Sequence, residues 1–329
     1  MPRILLIKTS SLGDVIHNLP VATDIRAHFP NAQIDWVVEE SFADIPRMHP
    51  AVNQVMTVAM RRWRKQLFSA KTWSEIAAFK KSIQQNYYDA IIDTQGLLKS
   101  AIIMSAANGV KHGYDKDSIR EPLASRFYDR TYTISYQQHA VVRNRTLAAL
   151  SLGYTPSTGA PDYGISAKHT KNNTSVSLMD IGLQADYVVG LHGTSRDSKL
   201  WPTTYWVDLG RQLAQQNLNL ALPWANEAEF NRAGEIAQQL QNATVLPKLS
   251  IAELAGVIAN AQAAVGVDTG LSHLAAALDK PTIAIYTDTN PALTGVMAGM
   301  HAQAINLGNI GEIPSVANVL DSLSKLLQK

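Results

Sequence analysis

Asp14 stands where a base would be useful. It belongs to Lys8-Thr9-Ser10-Ser11-Leu12-Gly13-Asp14-Val15-Ile16-His17, which follows an apolar run and opens a helical pattern. Hydroxyls, a glycine and free amide groups at a helix start suit an anion or a sugar. A carboxylate there can take a proton or can merely cap the helix, and spacing alone leaves both open. The segment is not a Walker loop, and it lacks the three-glycine dinucleotide fingerprint.

Three more segments occupy the same kind of position. In His192-Gly193-Thr194-Ser195-Arg196-Asp197-Ser198-Lys199-Leu200-Trp201-Pro202, two hydroxyls, Arg196 and Lys199 could surround a diphosphate, with Lys as a point charge and Arg as a planar fork. The alternative is a solvated polar loop. In Val267-Asp268-Thr269-Gly270-Leu271-Ser272-His273-Leu274, Asp268 ends a strand, and Thr269 and Gly270 leave amides free for a phosphate at the next helix. His273 is either a further contact or a core histidine. In Leu222-Pro223-Trp224-Ala225-Asn226-Glu227-Ala228-Glu229, a carboxylate could bind the two hydroxyls of a ribose. Glu227 and Glu229 could equally serve the helix dipole.

Cations gather in the first half. Met60-Arg61-Arg62-Trp63-Arg64-Lys65 holds four in six residues, and Lys111, His112, Arg120, His139, Arg143 and Arg145 form a looser set. Such clusters fit phosphates or carboxylates on a large ligand, or a solvated surface. Asp115-Lys116-Asp117 matches the Asp-x-Asp metal pattern only as three residues, and no two histidines stand four apart, so no metal site is expected.

A chain of 329 residues predicts two domains of similar size. The absence of cysteine excludes a disulfide framework, a thiol nucleophile and a thiolate metal site. The net charge of +2 is too small for a general nucleic-acid binder. It is unevenly spread: residues 1–167 carry 19 Lys and Arg against 14 Asp and Glu, leaving 10 against 13 beyond them. A half at +5 suits an anionic partner or surface. The opening run Ile4–Ile7 is too short for a signal peptide, and Leu254–Val267 too short for a membrane helix. A cytosolic protein that touches a membrane surface is expected.

The elements that must position these residues alternate. Strands are predicted over Arg3–Lys8, Ile34–Val38, Gln54–Val58 and Asp89–Asp93, with helices over Val15–His28, Trp73–Gln85, Leu97–Ala107 and Gln138–Leu152. The pattern restarts near residue 187, with strands over Tyr187–Leu191, Asn219–Leu222, Ala243–Leu246, Ala263–Val267 and Thr282–Tyr286. Helices are predicted over Tyr205–Gln216, Glu227–Gln241, Ile251–Asn260 and Leu271–Leu278. Apolar strands alternating with helices imply two doubly wound, Rossmann-like α/β domains with parallel sheets. Gly153–Pro161 and Lys171-Asn172-Asn173-Thr174 mark a linker at about 153–175. The domains are placed at 1–160 and 161–329, with a C-terminal helix that could pack back on the first. Two such domains leave a cleft facing the carboxyl ends of both sheets.

Together these residues resemble the lipopolysaccharide heptosyltransferases, over nearly the whole chain. The most specific segments are Lys8–His17, Arg61–Lys65, Asp93-Thr94-Gln95-Gly96-Leu97-Leu98-Lys99-Ser100, Arg120-Glu121-Pro122-Leu123-Ala124-Ser125 and Val267–Leu274. The first two are similar to the type I members, which act on the inner Kdo sugar. The resemblance implies a GT-B fold, an N-terminal acceptor domain and a C-terminal donor domain. It implies ADP-L-glycero-β-D-manno-heptose as donor and Kdo-lipid A, at the cytoplasmic face of the inner membrane, as acceptor. Transfer would invert the anomeric centre, with no essential metal and no cofactor. Asp14 matches the family's base, and Ser10 and Gly13 line its pocket. Thr194, Ser195 and Lys199 match diphosphate contacts, Glu229 the ribose contact, and Leu249 an apolar adenine contact. Asp268, Thr269, Gly270 and His273 match the donor-sugar and phosphate loop. Arg61, Arg62, Arg64, Lys65, Arg120 and Arg143 match the acceptor-side basic surface. The family often reads Gly-Pro-Thr-Asp-Pro after the last strand, whereas this chain has Tyr286-Thr287-Asp288-Thr289-Asn290-Pro291. The competing readings are heptosyltransferase II or another nucleotide-sugar transferase, a non-catalytic sugar-nucleotide-binding protein, and an NAD-dependent dehydrogenase, the last disfavoured by the missing glycines.

Overall fold

The computed structural model describes residues 1–166, 177–183 and 186–328. The expected linker segment Lys171–Thr174 lies outside them. The chain divides into two compact units, Met1–Gly164 and Ile165–Lys329.

The first unit is a six-stranded parallel sheet: β1 (Arg3–Ile7), β2 (Gln33–Glu39), β3 (Val52–Val58), β4 (Tyr87–Asp93), β5 (Asn108–Tyr114) and β6 (Arg130–Tyr132). Its helices are α1 (Leu12–Ile16), α2 (Leu19–His28), α3 (Asp44–Arg47), α4 (Met60–Trp63), α5 (Ala70–Ile83), α6 (Leu98–Ser105) and α7 (Ala140–Leu152). β1 is buried almost throughout, as a central strand covered on both faces must be. The single helix expected over 15–28 is two. Pro20, which lacks an N–H, fits only the first turn of a helix, and α2 restarts there. β5 and β6 escape the sequence pattern. β5 carries Gly109 and Gly113, where a Cβ would lie 2.1 Å from Tyr88 O and 2.2 Å from the Tyr128 ring. Glycine there permits close approach at the cost of the β-branched signature.

The second unit repeats the plan: β7 (Tyr187–Leu191), β8 (Asn219–Leu222), β9 (Ala243–Val245), β10 (Ala263–Val267), β11 (Thr282–Tyr286) and β12 (Ala304–Gly308), all parallel. The helices are α8 (Thr203–Gln215), α9 (Glu227–Ala237), α10 (Ile251–Asn260), α11 (Gly270–Ala277) and α12 (Val316–Leu327). Trp201, Trp206, Leu213, Val265 and Ile283 are fully buried in its core. The C-terminal helix α12 gives its apolar face, Val319, Leu323 and Leu326, to that same core, so this face is spent within its own unit.

The strand orders, β3-β2-β1-β4-β5-β6 and β12-β11-β10-β7-β8-β9, are the same order read in opposite directions. In each, the chain winds one way from the central strand and then the other. Ligands of open parallel sheets bind at the carboxyl ends of the two strands flanking that reversal, β1/β4 and β7/β10 here.

Candidate active site

At the β1/β4 reversal, the segment read as reactive is held by β4's own loop. The buried Lys8 donates from Nζ to Thr94 O (2.8 Å), joining the two strand ends. Burial pulls the Lys8 ammonium below the usual lysine range, against the upward pull of Asp14 and Asp93. Gln95 Oε1 accepts the amide N–H groups of Thr9 and Ser10, both at 3.0 Å. The Ser10–Ser11 peptide is cis. Asp14, half-buried on α1, accepts the Ser11 amide (2.7 Å) and the Ser11 hydroxyl (3.0 Å) on Oδ2. No described hydrogen bond falls on Oδ1. The capping and the basic role are therefore compatible, one oxygen serving each.

Lys99 is the residue sequence reasoning left without a role. Its Nζ donates to Ser10 Oγ (2.6 Å), and its charged neighbours are Glu39, Arg61, Asp14 and Glu121. Burial lowers its pKa. Its signal lay within the Asp93–Ser100 segment, after a strand at the switch point. Asp93 builds the loop that carries it. This buried carboxylate accepts Gln95 N–H (2.8 Å), Gly96 N–H (3.2 Å), the Ser100 hydroxyl (2.8 Å) and the Tyr128 hydroxyl (2.8 Å). Burial raises its pKa against those four donors.

The basic residues sort into two kinds. Glu39 accepts the amides of Met60 (3.2 Å) and Arg61 (3.1 Å), so a buried carboxylate caps α4; the Arg61 guanidinium lies over the Phe42 ring (5.3 Å) and is a charged neighbour of Lys99. Arg61, Arg64 and Lys65 are exposed. Arg62 departs from the expected acceptor role. Its guanidinium forks onto Glu40 (3.1 and 3.0 Å) and reaches Glu75 (2.8 Å), which also accepts Trp63 Nε1–H (2.7 Å). Those carboxylates raise its pKa and engage three of its five N–H donors, making it a brace between elements. Arg143 stacks between Tyr114 (4.7 Å) and Tyr136 (4.4 Å) and is a charged neighbour of Lys8. Arg120 is exposed beside Glu121, whose carboxylate accepts Leu98 N–H (2.7 Å) at the start of α6. Gly13 is half-buried on α1. Asp115 spends both oxygens on Asp117, Ser118 and Thr133, as a turn residue does, and the described residues hold no cluster of metal ligands.

In the second unit the expected donor residues lie on the loops that follow β7, β9 and β10 or in the first turn of α9 and α11. Thr194 donates its hydroxyl to Asp268 O (2.8 Å), and Lys199 Nζ reaches Asp268 Oδ2 (2.6 Å), bridging the β7/β10 reversal. Ser195 is exposed on the same loop. Thr269 precedes α11 and its side chain caps none of the helix's first amides, an arrangement that suits an anion. His273 is buried one turn further on. Glu229 accepts Ala225 N–H (2.7 Å), and its carboxylate fills the space a Cβ on Gly193 would take, with Cδ 2.7 Å from that point. Leu249, half-buried after β9, stands next to Lys248, whose Nζ lies 6.0 Å from the Trp224 ring. The segment that departs from the family's usual loop has a use here. Thr287 donates to Ser198 O (2.8 Å) and Ser198 donates to Asp288 (2.6 Å), so the β11 loop supports the loop bearing Lys199. His192, buried against Trp206, stays neutral, its pKa pulled down to about 4 by burial.

Two units of one doubly wound plan, with a carboxylate at one reversal and a lysine and a helix start at the other, have the architecture of the GT-B glycosyltransferases. The comparisons with known proteins agree and are more specific. The model of glycosyltransferase family 9 (heptosyltransferase) matches residues 76–321. Lipopolysaccharide heptosyltransferase 1 of Escherichia coli (strain K12) is 48% identical over 294 residues, covering 89% of this chain and 90% of the relative. The solved structure of E. coli heptosyltransferase WaaC with ADP has a TM-score of 0.90 at 44% identity, covering 98% of this chain and 99% of that one. A second, WaaC with ADP-2-deoxy-2-fluoro heptose, has a TM-score of 0.86 at the same identity and coverage. The chain belongs to glycosyltransferase family 9, the heptosyltransferases.

Proposed function

We propose that this chain moves L-glycero-D-manno-heptose from ADP-heptose to the inner Kdo of Kdo-lipid A, inverting the anomeric centre without a metal. The first unit holds the acceptor and the second the donor. The relatives' names and the two WaaC ligands support this choice of donor and pathway. The observation that carries the chemistry is Asp14, with Oδ2 fixed by Ser11 and Oδ1 open, among Lys99 and Arg61.

An acceptor hydroxyl is a poor nucleophile at neutral pH. Asp14 Oδ1 takes its proton as the new carbon–oxygen bond forms, worth about 10²–10⁴-fold. Lys99 and Arg61 draw an anionic acceptor sugar to that carboxylate. The departing ADP gains negative charge. Lys199 and the free amides of α11 stabilise it, the task a metal performs elsewhere. Ser195 and Thr194 order the diphosphate, Glu229 takes the ribose hydroxyls, and Leu249 lies against the adenine. The enzyme works peripherally at the cytoplasmic face of the inner membrane, where the acyl chains of the acceptor are anchored. No described helix is long and apolar enough to cross a membrane.

The test is a transfer assay with purified protein, O-deacylated Kdo-lipid A and a panel of nucleotide sugars. ADP-heptose should be used far better than any UDP or GDP sugar, with chelator present. Equal use of another donor, or transfer only with added divalent cation, would overturn the reading.

A further inference from the structure

We infer that the turn joining α4 to α5 is a membrane-docking finger that seats Leu67 and Phe68 in an anionic phospholipid surface. The inference rests on the acceptor reading above for its occupant and says where on the molecule that bilayer is met. Three observations converge on it.

The first is exposure. Phe68 is 105% exposed, and Leu67 and Trp73 stand at 51% and 59%. Three large apolar side chains within seven residues are presented to solvent. The second is rigidity. The finger is a chain of turns, with Gln66 N–H to Trp63 O (3.0 Å), Ser69 N–H to Gln66 O (3.0 Å) and Thr72 N–H to Ser69 O (3.0 Å). Trp73 Nε1–H closes it by donating to Leu67 O (2.8 Å). At its base, Arg62 and Trp63 are fixed on Glu75. The apolar tip is thus held out, not collapsed onto the unit. The third is charge. Residues 60–74 hold Arg61, Arg62, Arg64, Lys65 and Lys71 and no Asp or Glu. Arg62 is paired with Glu40 and Glu75, while Arg64 and Lys65 flank the tip in the open.

Apolar and aromatic side chains entering the interface, ringed by cations over acidic headgroups, are the two signals that hold a peripheral protein on a bilayer. Aromatic rings of the Trp73 kind favour the headgroup level. The root of the finger is Arg61, a charged neighbour of Lys99 beside Asp14. Docking the tip therefore brings the bilayer surface to the acceptor end of the first unit.

The experiment uses the whole chain and vesicles of phosphatidylcholine with or without about 30% phosphatidylglycerol, sedimented without substrate. Wild type should bind the anionic vesicles at least about tenfold more tightly than the neutral ones, and salt should weaken the binding. L67S/F68S should lose at least about tenfold of it while transferring heptose to O-deacylated acceptor at the wild-type rate. In a Phe68→Trp variant, vesicles with brominated acyl chains should quench the new indole. Vesicle binding unchanged in L67S/F68S, or absence of quenching, would overturn the finger and leave the transferase reading intact. So would a concentration-dependent dimer that L67S/F68S abolishes, since the tip would then cover a second copy. Failure of transfer with vesicle binding preserved would overturn the acceptor reading instead.

Discussion

Replacing Lys199 with alanine tests the donor half of the mechanism, and the structure sets the size of the effect. Lys199 Nζ lies 2.6 Å from Asp268 Oδ2, and both side chains are mostly buried, at 14% and 15% exposure. In the proposed complex the same ammonium faces the diphosphate. A charge-assisted hydrogen bond contributes about 1.5–3 kcal/mol, or roughly 10- to 150-fold in affinity. Lys199→Ala also leaves the Asp268 carboxylate uncompensated beside the phosphates. Two like charges about 5 Å apart at an effective dielectric near 20 repel by about 3 kcal/mol before ionic screening. Lys199→Ala should therefore weaken ADP binding by about 10²–10⁴-fold in titration calorimetry and raise the donor KM in parallel. Lys199→Ala/Asp268→Asn should regain the repulsive part, binding at least about tenfold better than Lys199→Ala alone. Donor affinity unchanged in Lys199→Ala would refute the assignment. A double variant weaker than the single would show that Asp268 contributes a contact of its own.

Gly193→Ala should raise the donor KM about 10- to 100-fold, because the added Cβ evicts the Glu229 carboxylate from its place while the flexible side chain yields without unfolding the unit. An unchanged KM, measured alongside the melting temperature, would remove Glu229 from the ribose. Neutralising Arg61, Arg64 and Lys65 together should raise acceptor KM at low salt and leave ADP affinity alone. Arg62→Gln should instead lower the melting temperature by freeing Glu40 and Glu75, and the opposite pattern would reverse the division made here. His49 accepts Ala51 N–H on Nδ1 and pairs with the Thr23 hydroxyl, and burial pulls its pKa down to about 4. Between about 6.5 and 4 the unfolded chain binds a proton there that the folded chain refuses. The stability is whole above 6.5 and is lost as pH falls through that window, by at most about 1.4 kcal/mol per pH unit. Denaturant titrations at pH 7 and 5 should show His49→Gln with a shallower loss than wild type; parallel slopes would mean His49 is charged in the fold.

The strands β1, β4, β7, β10 and β11 were legible because central parallel strands are largely apolar runs. Their loops followed, which placed Asp14, Thr194, Lys199 and Asp268 just beyond strand ends from the sequence pattern. β6 and β12 are edge strands that are only partly buried, so little of their pattern was written in apolar residues. Lys99 was hidden for a different reason. Its partner Ser10 lies 89 residues away, and only the pairing of β1 with β4 brings them together. Arg62 misled because four cations within five residues look alike in sequence, while Glu40 and Glu75 select one of them from separate elements.

The central claim is that Asp14 removes the acceptor proton. Asp14→Asn keeps an oxygen to accept the Ser11 hydrogen bonds but cannot serve as a base. With ADP-heptose and O-deacylated Kdo-lipid A, kcat should fall by about 10²–10⁴-fold while ADP affinity and the melting temperature hold at wild-type values. A kcat within about threefold of wild type would contradict the account and move the base to another residue.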